Sequence, residues 1–83
     1  MFYSEYGCLM LVDDTLNIYL PRGSKGRSQA APERIGDLVL ELNELAQDGW
    51  QVISHTTTAV DVSDEYDGTV ISYTDTVIIG RSP

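Results

Sequence analysis

Three of the five basic residues of this 83-residue chain, Arg22, Lys25 and Arg27, fall within the stretch Pro21-Arg22-Gly23-Ser24-Lys25-Gly26-Arg27-Ser28. Two glycines let backbone N–H groups turn inward, Ser24 and Ser28 add hydroxyl donors, and the cations supply long-range attraction. That is the chemistry an isolated phosphate or a nucleotide requires. The spacing is not that of a Walker loop, because Gly-x-x-x-x-Gly-Lys-Ser/Thr is absent. The same composition also describes a solvated, flexible Gly/Ser loop over 21–31, the commoner fate of such sequence. If the stretch binds an anion, aromatic rings such as Trp50, Tyr66 or Tyr73 would complete the site, contributed across a subunit boundary. The candidate ligand set is therefore Arg22, Ser24, Lys25, Arg27, Trp50 and Tyr73.

A second constellation has the opposite sign. Glu33, Asp37, Glu41, Glu44 and Asp48 recur every three or four residues, with no lysine at i+4 to relieve repulsion. On a helix they form one stripe, which either mimics a row of phosphates for a basic groove on a nucleic-acid enzyme or, more commonly, is a solvated face. Ser63 to Gly68 has the look of a calcium-loop start, but Thr74 stands where the closing glutamate belongs, so a turn is the better reading. His55 is the sole histidine and the sequence offers it no positioned partner; a strand histidine facing solvent or a subunit contact is expected. With one Cys and one His, zinc is disfavoured, and Cys8 has no disulfide partner within the chain. No catalytic or metal site and no cofactor is expected.

These residues must be positioned by a small number of elements. From Pro32 to Asp48 the apolar residues Ile35, Leu38, Val39, Leu42, Leu45 and Ala46 follow the helical i, i+3, i+4, i+7 spacing, with Pro32 suited to the first position and Glu33 to the positive dipole end. Gly49 can close the helix in the left-handed conformation, and Trp50 can fold back over its apolar face. Gln51 to Asp61 and Thr69 to Arg81 are rich in Val, Ile and Thr and read as two strands of an antiparallel hairpin turning at Asp67-Gly68. Upstream, Tyr3 to Val12 reads as a strand, nearly continuous in apolar character from Cys8 to Val12 and there expected to be buried on both faces, and Thr15 to Leu20 as a short strand turning back at Asp13-Asp14. The expected class is α+β: an antiparallel sheet of three to four strands with one amphipathic helix on one face, in the order strand, short strand, helix, strand, strand.

The run Leu42-Asn43-Glu44-Leu45-Ala46-Gln47-Asp48-Gly49-Trp50-Gln51-Val52-Ile53 resembles the hallmark of a domain-of-unknown-function family of small bacterial and phage proteins, Leu-Asn-x-Leu-Gly-x-x-Gly-Trp-Glu-Leu-Val. Ala46 stands where that pattern has glycine and Gln51 where it has glutamate. Tyr3, Tyr6 and Arg81 fall where the family carries N-terminal-strand tyrosines and a terminal basic residue. The likeness extends from about Asp37 to Ile53. It implies a strand, helix, strand, strand order and transfers no site residues.

A chain this short makes one domain with a limited core. One helix covers one face of a sheet, yet apolar residues occupy both strand parities: Val52, Val60, Val70 and Ile78 on one, Ile53, Ala59, Ile71, Tyr73, Val77 and Ile79 on the other. A homodimer or higher symmetric assembly, through the uncovered face or a sheet edge, is the expected remedy. The net charge of −8 argues against duplex nucleic acid as a partner. No apolar run is long enough for a bilayer and no cleavable leader is visible, so a cytoplasmic location in a bacterial or phage-infected cell is expected, without a membrane partner. The functional expectation is a non-enzymatic oligomeric binding protein for a small anionic ligand such as a cyclic nucleotide, in a phage an anti-defence sponge. The alternatives are an acidic protein inhibitor and a purely structural assembly domain.

Overall fold

A computed structural model describes residues 3–21, 26–64 and 68–82. The elements run β1 (Glu5–Val12), β2 (Thr15–Tyr19), β3 (Arg27–Ala30), α1 (Ile35–Gln47), β4 (Gln51–Asp64) and β5 (Gly68–Arg81). The strands form one antiparallel sheet in the order β3-β2-β1-β5-β4. The α+β class is as expected, but the strand count is five rather than three to four. The additional strand, β3, lies inside the stretch read as a flexible loop, and Arg22 to Lys25 lie outside the described residues. Arg-Ser-Gln-Ala has little strand propensity of its own. Pairing of Ile18 with Arg27 and of Thr15 with Ala30 imposes the extended conformation from outside.

Alternation in β1, β2 and β5 builds the core. Leu9 and Leu11, Leu16 and Ile18, and Val77 and Ile79 share one face and are essentially inaccessible, and Leu38 and Leu45 of α1 close over them with Trp50. The C-terminal end of the helix follows its sequence closely. Gly49 has φ of 90°, its N–H donates to Ala46 O, and Trp50 N–H donates to Leu45 O, the pair of bonds that defines a Schellman cap. That turn drives Trp50 inward.

The other end differs. The expected helix start at Pro32 moves to Ile35, because Pro32 to Arg34 form a turn in which Arg34 N–H donates to Ala31 O and Arg34 takes φ of 50°, incompatible with helix. The helix is also rolled relative to expectation. Its buried residues are Leu38, Glu41 and Leu45, whereas Ile35, Val39 and Leu40 are exposed. Glu41 therefore interrupts the expected outward acidic stripe.

β4 behaves unlike every other strand. All residues from Gln51 to Val60 are exposed, because β4 is an outer strand and α1 lies over the opposite half of the sheet. β1 pairs with β5 only between Thr74 and Arg81, so Gly68 to Ser72 of β5 pair with β4 alone. The far end of this hairpin is a two-stranded arm, and the molecule measures 52 × 23 × 21 Å. Among the described residues no helix is long and apolar enough to cross a membrane.

Candidate functional site

Arg22, Ser24 and Lys25 of the expected ligand set lie outside the described residues. Arg27, on β3, donates from its terminal nitrogen to the carboxylate of Glu41 and from Nε to Gln29 Oε1 at 3.3 Å. Trp50 is buried, with the Arg81 guanidinium 4.5 Å above its ring, and Arg81 also reaches Glu5 Oε2 at 2.9 Å. Tyr73 is exposed on β5, with the Arg34 guanidinium 5.9 Å from its ring centre. Arg27 is three strands from Tyr73 and β5, roughly 14 Å at the usual strand spacing. Within one chain Arg27, Trp50 and Tyr73 do not meet.

The sheet face opposite α1 carries a different constellation. Tyr6, Cys8, Tyr19 and Ile78 share this face through the pairs Cys8 with Tyr19 and Cys8 with Ile78. With Gly7 and Leu20 they line a shallow cleft of about 350 Å³. Tyr6 and Tyr19 are 58% and 54% exposed and are diagonal cross-strand neighbours, a relation in which backbone positions lie about 7 Å apart and large side chains remain within reach of each other.

Tyr6 is braced. Tyr3 meets its ring edge-on, with centroids 6.2 Å apart at 65°, and Tyr3 in turn donates to Gln51 Oε1 at 3.1 Å. Gly80 makes room for this brace: a Cβ there would lie 2.7 Å from both the Tyr3 ring and the Ile53 side chain. Burial pushes the Cys8 thiol up from its ordinary pKa, which keeps it protonated and a poor nucleophile on the cleft floor. Among the described residues no acidic side chain lines the cleft. Tyr6 and Tyr19 were missed from sequence as site residues; the signal available was two tyrosines in consecutive strands whose partners otherwise face the core.

A second cluster lies on the helix side, where Asp75 pairs with Leu11 near the end of β1. Asp75 is 4% exposed, accepts from Thr57 Oγ1 at 2.6 Å and lies 2.9 Å from His55 Nε2 and 3.9 Å from an Arg34 terminal nitrogen. The Thr57 hydroxyl, with help from His55 and Arg34 and against desolvation, holds the Asp75 carboxyl below its ordinary pKa. An ionised Asp75 only accepts, so the proton of a neutral His55 sits on Nε2 and Nδ1 is the free lone pair. The partner His55 lacked in the sequence is thus supplied across the hairpin by the register of Thr57 with Asp75.

Arg34 Nε donates to Asp13 O at 2.8 Å, Asp13 N–H donates to Tyr73 O at 3.1 Å, and Ser72 Oγ donates to the Asp13 carboxylate. Asp13 and Arg34 are the non-glycine residues with positive φ among those described, so this cluster ties together two sparsely allowed backbone positions. It works as a clasp between the β1–β2 turn, the helix start and β5. Its hydroxyl is aimed at the carboxylate and not at the imidazole, which is not the order a nucleophile–base relay needs. Among the described residues no group of three or more His, Cys, Asp or Glu side chains is placed to hold a metal ion.

No family model, curated protein or solved structure matches the chain, and the likeness to the small bacterial and phage family remains an expectation drawn from residues 37–53.

Proposed function

We propose that the protein is a non-enzymatic, self-associating binding module that takes up a ring-bearing anion of nucleotide type in the Tyr6–Tyr19 cleft. The observation that carries this reading is the pair of exposed tyrosines flanking a cleft with an apolar floor. Stacking on such rings contributes about 1–3 kcal/mol per base and tolerates any base.

Chain connectivity supports the anionic half of the ligand. Leu20 lines the cleft and Arg22 follows two residues later, within about 7 Å of extended chain, with Ser24 and Lys25 beyond it. The proposed phosphate contacts of the basic stretch follow directly in sequence on a residue that lines the cleft. Arg27 has a different task, because its guanidinium neutralises Glu41. In a phage-infected bacterium such a module would sequester a signalling nucleotide without cleaving it.

Calorimetric titration with a cyclic dinucleotide and with a mononucleotide tests the reading. Binding should weaken roughly 5- to 150-fold in Tyr6→Ala and in Tyr19→Ala, as loss of one stacking ring requires. It should also weaken in Arg22→Ala/Lys25→Ala and become steeply salt-dependent in the parent protein, and heat should release the nucleotide intact. Absence of binding to either nucleotide at millimolar concentration, or cleavage of the bound one, would overturn it.

A further inference from the structure

The two edges of the sheet are built differently. β3 is four residues long, carries Arg27, and is tied by that residue to the helix. β4 is fourteen residues long and has β5 on one side only. Proteins ordinarily protect a long open edge with lysine, proline, a strong bulge or a covering element. From Gln51 to Val60 this edge has no Asp, Glu, Lys, Arg or Pro, in a chain where 22% of residues are charged, and its one register irregularity lies near the start, between Val52 and Ser54. Its outward N–H and C=O groups are a template for another strand.

We infer that the β4 edge pairs antiparallel with β4 of a second copy, about a two-fold axis through the Thr56-Thr57-Thr58 run, to give one continuous ten-stranded sheet. This deepens the self-association half of the proposed function by naming its surface, and it does not depend on the ligand.

Three observations select a second copy as the occupant. The first is charge. At −8 per chain, two copies repel across most of their surface, and the uncharged decapeptide 51–60 is where they can approach without opposing carboxylates. The second is self-complementarity. A two-fold axis perpendicular to the sheet sets residues of like parity opposite one another, so with Thr57 on the axis Thr56 opposes Thr58, His55 opposes Ala59 and Ser54 opposes Val60. No pair in that set is repulsive, and the interface is isologous, as two-fold closure demands. The third is the arm. The ribbon beyond Thr74 rests on no third strand, and an isolated two-stranded ribbon is marginal in water. Antiparallel pairing lays the arm of each copy along the Gln51–His55 half of the other, so each arm gains the support it lacks.

The pairing also completes a groove. Val39, Leu42, Ala46, Trp50, Val52 and Ile79 line an apolar groove of about 300 Å³ between α1 and β4, and β4 is the last strand on its side of the sheet. In the dimer the partner's arm becomes the floor on that side.

Ligand-free protein is examined by light scattering after size exclusion at tens of micromolar. The expected mass is about twice 9.2 kDa. Thr56→Lys/Thr58→Lys places four ammonium groups around the axis on the face away from α1, where in a monomer they would be ordinary edge-strand lysines. This variant should keep its circular dichroism and run as a monomer. A parallel measurement does not depend on that variant folding: with Cys8→Ser in the background, the double variant Thr56→Cys/Thr58→Cys, which sets position 56 of each copy directly opposite position 58 of the other, should form an oxidised dimer on a non-reducing gel, whereas Met10→Cys should not. A monomeric parent protein, a double-lysine variant that folds and remains dimeric, or crosslinking at position 10 in place of 56 and 58 would each overturn the inference. Failure of nucleotide binding leaves all three readouts unchanged, so the two proposals fail separately.

Discussion

The covered half of the sheet and its bare half are made of similar residues and behave as different materials. On β1 and β2, Leu9, Leu11, Leu16 and Ile18 meet Leu38 and Leu45 of the helix and lose all contact with water. On β4, Val52, Ile53 and Val60 stay 43–54% exposed because no strand pairs outside them among the described residues and the helix does not close over them. Hydrophobicity of a strand does not set its burial; the placement of one thirteen-residue helix does. Stability is concentrated where the helix sits, and surface for association is left where it does not.

Substitutions in the two halves should therefore separate. Leu11→Ala removes buried methyl groups from a fully packed site and should cost about 2–5 kcal/mol, seen as a lower urea midpoint at any protein concentration. In a domain this small that approaches the whole stability. The same chemistry in the bare half, Val60→Ala, should shift a monomer by less than about 0.5 kcal/mol and act only through the concentration dependence of unfolding. Equal losses from the two would erase the distinction.

The Arg27–Glu41 pair sharpens the contrast because its two ends belong to different environments, with side chains 45% and 7% exposed. Arg27→Met leaves a buried carboxylate without its cation and should cost about 3 kcal/mol, whereas Glu41→Gln leaves an arginine that water can solvate and should cost clearly less. Chemical denaturation of both variants reads the asymmetry directly. An equal loss would mean that Glu41 is as well hydrated as its partner.

Asp75 is the counterpart at the border of the bare half. Its pKa is held below the ordinary carboxylate value, so the stability it contributes is present above about pH 4, the unfolded-chain value, and is lost as pH falls through the folded value. Asp75→Asn should lower stability at pH 7 and flatten the acid limb of the stability curve. An acid limb unchanged by the substitution would show that other carboxylates control it. The smallest effect is expected at Glu44→Lys, on the exposed helix face, within about 0.5 kcal/mol of the parent protein by thermal melting.

Legibility from sequence tracked the range of the forces involved. The helix stop at Gly49, the inward turn of Trp50, the β4–β5 hairpin and the β1–β2 turn at Asp13-Asp14 all rest on residues within a few positions of one another, and all were readable. Part of the candidate site was not. The tyrosine cleft needs the register of Cys8 with both Tyr19 and Ile78, and the His55–Asp75 contact spans twenty residues. β3 was hidden for a related reason, since its four residues have no pattern apart from the strand they pair with.

The amino-acid sequence by itself determined where chain direction changes and which elements form between those points, because capping, propensity and periodicity act through neighbours three or four residues away. Only the tertiary structure decided the roll of α1 that turns Glu41 inward, the recruitment of Arg27 to β3, and the outer position that leaves β4 bare. Each of those depends on which distant segment arrives alongside, and that is set by the sum of core packing over Leu9, Leu11, Leu16, Ile18, Val77 and Ile79 and not by any local stretch of residues.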